Sequence, residues 1–591
     1  MMLNKAIDET SDAYRTASSD ERREIIADIE RSFDESVNRP DYARKLYLIE
    51  NCIYGVDIQP IAIQISKLRF FISLVVDQKS NDNPVENFGI RPLPNLEAKF
   101  VAANTLIGLD KKDASLFDSA EIKAKESELK IAKHKIFGAK TVRTKRKYRQ
   151  IVNDLRLKIA NMLEDCGAVG NAEAQQLAAW DMFNQNASSP YFDPEWMFNV
   201  KEGFDIVIGN PPYISAIDLK KSLGNTNYKY LKSLFQTSKG TVDMYVYFFE
   251  KGLNLLCDGG TLSFITPNKY LSANYGKTLR AYLMTNAKIT TVLDVSRDSV
   301  FDADTYPVVI RKSSDTKTYE FIAIDKYKIE HKFNSSQLSE LPENNWGFIL
   351  STKYKLTKKI LLKSKSILDV CKINATSTAS EADEFHNSLY NDEKIGLKLI
   401  NTGTIDPYCN FWGARTLTDK GEQYLYPMLP NNVKILGINR YNLYNSPKII
   451  IAKMSLRLEG FFDEKGEYAS INTNCLHSIK VSPLKLMGWI HSKLFNYIYE
   501  CYFEGLRMSG NYLPFTAPYL SCMCVPMNIN FLEIDNLVSS IFNAKRLAVD
   551  TDITALEQQI DLLIYHLYNL TYDEVLIVDP QTSITREQYE S

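Results

Sequence analysis

No glycine occurs in residues 1–54, and Pro40 is the single proline there. Without breakers to punctuate it, most of that stretch reads as two or three polar helices. Nine cysteines are scattered over 591 residues, and the one tight pair is Cys522 and Cys524. That excludes a dense disulfide framework and the CxxC…CxxC spacing of a zinc site, so no metal is expected. Cysteines so scattered fit a reducing compartment, and a cytoplasmic location is expected. No apolar run is long enough to span a bilayer, and the polar, acidic amino terminus is not that of a signal peptide. No membrane partner is expected. A short-period repeat is also lacking. Charge of one sign is lacking too: 70 Lys and Arg face 72 Asp and Glu, for a formal net charge of −2. A uniformly basic nucleic-acid binder is excluded, whereas a local basic face is not.

What is present is enough apolar sequence, 45% of residues, to build sizeable cores over two or three domains. "IYGVDIQPIAIQISKLRFFISLVV", from Ile53 to Val76, reads as a short strand ending in an acid, then a helix. Pro60 suits a first helical turn, and Ile61, Ile65, Leu68, Ile72 and Val75 recur at helical spacing. Lys99 to Gly108 reads as a second strand and turn. Thirty residues from Glu121 to Gln150 hold eleven Lys or Arg against three acids. This charged run predicts a helical hairpin inserted at about 110–195. Strands resume at Phe204. Thr241 to Leu271 reads as helix, Gly-Gly turn, strand and loop, and Ile289 to Lys312 as two strands around a loop. Strands alternating with helices predict an α/β fold with a mostly parallel sheet. From about residue 346 the texture changes to short strands, aromatics and turns, which predicts a mixed α+β second domain over 346–591. Ile553, Leu556, Ile560, Leu563 and Leu567 step by three and four, as in a helix seam.

The stretch "FDIVIGNPPYISA", Phe204 to Ala216, carries the chemistry. Proline cannot donate to a sheet ladder, so the strand must stop at Asn210, Pro211, Pro212 and Tyr213. Ligands of open α/β sheets bind beyond the carboxyl ends of strands. An exocyclic base amine is a poor nucleophile because its lone pair is delocalised into the ring. Two acceptors on its two N–H groups draw the nitrogen toward a tetrahedral shape and free that pair. The Asn210 side-chain oxygen and the Pro211 carbonyl are such acceptors, stiffened by the prolines. Tyr213 offers a flat ring for a base lifted from its stack. A bare Asn-Pro-Pro-Tyr is otherwise an ordinary turn. Asp57, at a strand end, suits ribose hydroxyls or, equally, a helix N-terminus. Asn104, at the next strand end, suits an adenine edge or an ordinary loop. The basic run 121–150 suits a solvated face better than phosphate binding. Arg415, Arg440, Lys453 and Arg457 are candidate DNA contacts.

In this order, these residues resemble the amino-methyltransferases that use S-adenosylmethionine. "GVDIQP" is similar to their acidic cofactor motif and "NPPY" to their catalytic motif. "VDMYVYFFEKGLNLLCDGGTLSFITPNKYL" resembles the following stretch of the gamma-class, TaqI-like adenine methyltransferases. "SVFDADTYPVVI" is similar to the later motif whose phenylalanine covers the far face of a flipped adenine, which implies that role for Phe301. The insert, the aromatic second domain and "LEQQIDLLIYHLYNLTYDE" resemble methylases of Type IIG and related restriction-modification systems.

The resemblance implies a Rossmann-like methyltransferase domain over 1–345 and a DNA target-recognition domain over 346–591. It implies a site-specific DNA adenine methyltransferase, with S-adenosylmethionine as cofactor and double-stranded DNA as partner. The adenine would stack between Tyr213 and Phe301, with Asn210 and Pro211 on its amine and Pro212 stiffening the turn. Asp57, Ile58, Asn104 and Asn210 would contact the cofactor. The family also places a Gly-rich loop of the type DPACGSG before the acidic strand. "CGAVGNA", Cys166 to Ala172, follows a predicted helix and is a poor substitute. The expectation is a chain that starts between the family's first and second motifs, with the missing strand and loop supplied by an upstream polypeptide. Rival expectations are methylation of glutamine amides or RNA, and a non-catalytic DNA-binding remnant.

Overall fold

The computed structural model describes parts of 22–39 and residues 41–590, except 91–95, 110–119, 138–140, 167–169, 182, 185, 296–305, 316, 393–394 and 529–531. The chain divides into two compact units. One comprises residues up to Val207 with Leu223–Phe235 and Tyr247–Gly260, and the other comprises Ile208–Ser222, Gln236–Val246 and Thr261–Ser591.

In the first unit, β1 (Gly55–Asp57) pairs in parallel with β2 (Phe100–Ala102), with Gly55 opposite Phe100 and Asp57 opposite Ala102. Glycine is required at 55, because a Cβ there would lie 2.4 Å from the Phe100 ring. Pro60 opens α1 (Pro60–Val75), where a missing N–H costs nothing. Ile63 and Leu74 of α1 are buried with Leu96 and Phe100, and Phe70 packs on Phe100 at 4.9 Å between ring centroids. The predicted stripe behaves differently: Ile61, Ile65, Leu68 and Ile72 are 52–62% exposed. The helix is where its period places it, but its packed face on these strands is the opposite one.

The charged run forms two helices, α2 (Ala120–Phe137) and α3 (Val142–Asp165), packed on each other and inserted between β2 and β3 (Phe204–Gly209). Arg143, Lys145, Arg146 and Lys147 are exposed, as a solvated face requires. Two cations of the insert are nevertheless buried. Lys133 donates to the Trp196 carbonyl at 2.7 Å, and burial pushes its ammonium down to about 7. Arg156 donates to the carbonyls of Leu177 and Ala178.

The main sheet has six strands in the order β3-β4-β6-β5-β7-β8, with β4 Leu256–Thr266, β5 Ala287–Leu293, β6 Tyr306–Lys312, β7 Glu320–Ile324 and β8 Glu330–Asn334. β3 and β4 each run from the first unit into the second. The expectation of a mostly parallel sheet is corrected here. β6 lies antiparallel to both β4 and β5, and β8 lies antiparallel to β7, while β5 and β7 are parallel. A parallel return needs a long crossover, usually a helix. β6 instead lies between β4 and β5 in the sheet order.

The C-terminal part of the second unit holds two four-stranded sheets and an aromatic helical core. One sheet joins Lys372–Ala375, Thr473–His477, Lys448–Ala452 and Gly460–Asp463 in that order. The helices Pro483–His491 and Lys493–Phe503 bury Trp489, Tyr499, Tyr502 and Phe503. The seam near the end falls on Ile560 and Ile564, with Asp561 buried beside them. Asp561 accepts from the Lys493 N–H at 2.9 Å, yet burial pushes its carboxyl up to about 7. Between its ordinary value and 7, the folded chain holds a proton that the unfolded chain releases, so folding weakens as pH rises through that window. Asp561→Asn is expected to remove this slope. Urea midpoints of both proteins at pH 5 and pH 8 should differ more for the native chain, and equal differences would contradict the assignment.

Candidate active site

The predicted strand stops where proline forces it to. β3 ends at Gly209, and Asn210 stands exposed just beyond. A Cβ on Gly209 would lie 2.9 Å from the Phe264 ring, so only glycine lets the strand end pass that close to β4. Pro211 is buried, and Pro212 and Tyr213 are half-buried. The Tyr213 hydroxyl lies 2.7 Å from the Asn210 Oδ1 and 3.2 Å from the Ile265 carbonyl, and it donates to either oxygen. Burial raises the Tyr213 pKa, which keeps it a donor. An amide oxygen has two lone pairs. With Tyr213 on one, the carbonyl plane is oriented and the other pair is left for an incoming N–H.

Asp57 and Asn104 lie at the same, carboxyl end of the adjacent parallel strands β1 and β2. The Asp57 Oδ1 accepts from the Gln59 N–H at 2.7 Å, which turns the chain into α1 and leaves the carboxylate exposed. The Asn104 Oδ1 accepts from the Leu106 N–H at 3.2 Å. Ile58 is 55% exposed next to Asp57. The donor set suits a nucleoside: a carboxylate for vicinal hydroxyls, an amide for a base edge and an apolar side chain for a ring face. Asp57, Ile58 and Asn104 belong to the first unit, and Asn210 to Tyr213 to the second. Phe301 lies outside the described residues. Among the described residues, no cluster of three His, Cys, Asp or Glu is placed to hold a metal ion.

Sequence reasoning missed a polar network beside the tip. The Tyr275 hydroxyl donates to Asp243 at 2.8 Å, and the Tyr245 hydroxyl lies 2.7 Å from that of Tyr275. Burial raises both phenols far above their usual range. The Met244 N–H donates to the Ile214 carbonyl, tying this network to the loop that follows Tyr213. The signal was the acid and tyrosine of "VDMY", but Tyr275 is 32 residues from Asp243.

The structure also corrects one candidate DNA contact. Arg440 grips Glu381 with its Nε and a terminal nitrogen, at 3.1 and 3.0 Å, and donates to the Ala375 carbonyl at 2.7 Å. Its fork is committed to holding a helix start. Arg415 lies over the Phe411 ring and donates to the Gly403 carbonyl, and Arg457 sits 3.4 Å from Glu557. Lys453 is exposed.

Residues 51–301, which contain β1, the insert and the Asn210–Tyr213 tip, match the family of Eco57I restriction-modification methylases. This stretch is similar to the methylase domain of Eco57I-like restriction-modification enzymes. Methylases of this family use S-adenosylmethionine. The chain is 28% identical over 152 residues to the Type II methyltransferase M.BstVI of Geobacillus stearothermophilus, covering 25% of each protein. It is 24% identical over 605 residues to a protein of Methanocaldococcus jannaschii named as a type II restriction enzyme and methyltransferase, RM.MjaORFECS2P. That match covers 89% of this chain and 49% of the relative. The chain thus spans a quarter to a half of the length of these two relatives. Among solved structures, the Type IIL restriction-modification enzyme MmeI in complex with DNA overlaps 97% of this chain and 77% of that one, at 11% identity and a TM-score of 0.39.

Proposed function

We propose that the chain is the methylase part of a site-specific DNA adenine methyltransferase of a restriction-modification system. The observation that carries this is the Asn210 carbonyl, held exposed at a strand end by Tyr213 within the methylase stretch. The adenine flips out of the duplex, because its amine is unreachable inside the stack. Its two N–H groups meet the Asn210 Oδ1 and the Pro211 carbonyl, and its ring lies on Tyr213 with Phe301 as the opposite face. As the nitrogen pair forms the new bond, the amine turns cationic, and both acceptors bind that form more strongly than the neutral one. The amine then sheds a proton to solvent.

S-Adenosylmethionine would supply an electrophilic methyl group on a sulfonium, the electrons of the broken carbon–sulfur bond staying on sulfur in a neutral thioether. Asp57 would hold its ribose, Asn104 its adenine edge and Ile58 the ring face, while Asn210 stands near the reacting end. Residues 346–591 would read the DNA sequence, with the protein working in the cytoplasm. No glycine in residues 1–54 offers a turn for the methionine end of the cofactor.

The chain alone is therefore expected to bind S-adenosylmethionine weakly or not at all by calorimetry. Micromolar binding, near −8 kcal/mol, would overturn the missing-turn account. The chain supplied with a Gly-rich turn for the cofactor is expected to methylate adenine in duplex DNA. Digestion to nucleosides after reaction reads the product, and modified cytosine, or labelled protein or RNA with unmodified DNA, would reject the proposal.

A further inference from the structure

One turn of the C-terminal region gathers three large apolar side chains at a single exposed point. The short strands Met454–Ser455 and Leu513–Pro514 pair antiparallel with Ser455 opposite Leu513, so Leu456 and Tyr512 stand opposite each other one step further on. Leu456 is 55% exposed and Tyr512 44%. Met508, whose N–H donates to the Tyr512 carbonyl at 2.9 Å, is 56% exposed. Single exposed apolar residues are ordinary, but three on one knuckle are not. The knuckle is held in shape. The Arg507 guanidinium donates to the Asn511 carbonyl at 2.9 Å and is itself gripped by Glu500. Gly510 and Asn511 take positive φ, 78° and 67°, and such backbone strain clusters at functional positions. The Gly510 backbone lies against the Tyr512 ring, where an added Cβ would come within 3.1 Å.

The turn also leaves the protein beside the candidate catalytic tip. Tyr213 donates toward the Ile265 carbonyl 3.2 Å away. Three residues on, Asn268 is buried against Gly505, where a Cβ would lie 2.5 Å from its Nδ2. Met508 follows three residues after Gly505. Three residues of chain span at most about 11 Å, so Met508 lies two such steps and one side-chain contact from Ile265. All of these residues belong to the second unit. Lys269 and Lys453 add exposed positive charge, while the acids Glu500 and Glu504 are paired with Lys353.

We propose that the Met508–Tyr512 turn is a wedge for duplex DNA, entering the stack where the target base leaves it, with Tyr512 lying on the orphaned partner base. The proposal rests on the methylase reading, since it gives the gap left by that reading's flipped base an occupant. Apolar side chains inserted between base steps hold such gaps open. Met508 is slim and flexible enough to enter, and Tyr512 offers a flat face already propped by Gly510. Lys269 and Lys453 are partners for the phosphates around the gap.

A duplex with one abasic analogue opposite 5-iodouracil mimics a base already flipped and does not depend on the recognised sequence. The full chain is expected to bind it about tenfold or more tighter than the same duplex with adenine in place, the fold-change that stacking one base on one ring gives. Irradiation should cross-link the iodouracil to the peptide carrying Tyr512. Tyr512→Ala should lose both the cross-link and the preference, and Tyr512→Trp should keep the preference. Both variants should melt with the native chain, because the side chain is exposed. If Tyr512→Ala melts lower, the cross-link in the native chain decides. Equal affinity for the two duplexes, a cross-link elsewhere, or a preference untouched by Tyr512→Ala would overturn the wedge. So would failure to bind either duplex, or a dimer that Tyr512→Ala disperses, which would make the knuckle a contact between copies of the chain. A cross-link at Tyr512 in a chain that never methylates DNA would leave the wedge standing and reject the methylase reading, and methylation with the cross-link elsewhere would do the reverse.

Discussion

Asn210→Ala is expected to slow methyl transfer about 100- to 1000-fold in the completed enzyme, while DNA affinity changes little. The acceptor matters most when the amine is reshaping and gaining charge, so its loss falls on the transition state more than on binding. Affinity comes from many phosphate and base contacts elsewhere. Tyr213 separates two further effects. Tyr213→Phe keeps the ring but removes the hydroxyl that orients the Asn210 carbonyl at 2.7 Å. A neutral hydrogen bond is worth roughly 0.5–1.5 kcal/mol, so a loss of about twofold to tenfold in rate is expected, with flipping intact. Tyr213→Ala also removes a stacking face worth about 1–3 kcal/mol, and a base analogue that fluoresces when unstacked should report less extrusion. Single-turnover methylation reads the rates. Full activity in Asn210→Ala would remove the amine-gripping role from this tip.

The parts of this site legible in the sequence are those where a local rule acts alone. Proline must end a strand, so the Asn210–Tyr213 tip stands where "NPPY" places it. An acid closing a short apolar run before proline gives Asp57 at the end of β1 and α1 beginning at Pro60. The hidden parts are set by partners far along the chain. The antiparallel return of β6 depends on which strands it slides between, and no local pattern encodes that choice. The Asp243–Tyr275 bond joins residues whose types alone are unremarkable. Arg440 looks like a phosphate contact until Glu381 comes within 3.0 Å of it. Periodicity also found the wrong face of α1: Ile61, Ile65, Leu68 and Ile72 give the cleaner pattern, yet Ile63 and Leu74 are the buried ones. A helix apolar on two sides cannot reveal from its own period which side packs first.

The C-terminal region depends on one buried pair, and removing its acid is expected to be the most destabilising single change there. The Lys448 Nζ lies 2.6 Å from the Asp463 Oδ2, with the two side chains 0% and 2% exposed. Lys448 also donates to the Tyr444 carbonyl at 2.7 Å, and burial still lowers its pKa. Asp463 does more than neutralise it. Its Oδ1 accepts from the Gly466 and Glu467 N–H groups at 3.0 Å, and its Oδ2 from the Tyr468 N–H at 3.1 Å. It therefore ties the turn between Gly460–Asp463 and Tyr468–Ile471, strands of the two C-terminal sheets. Asp463→Ala strands a buried ammonium and leaves three backbone donors unpaired, and breaking such a pair typically costs about 3–5 kcal/mol. Lys448→Met should cost less, because Asp463 keeps its three N–H partners and the aliphatic chain still fills the site. Asp463→Asn should fall between the two if charge dominates, and close to the native chain if the turn does. Denaturant unfolding of the three variants orders them, and Lys448→Met proving more harmful than Asp463→Ala would mean that the turn contacts of Asp463 contribute little.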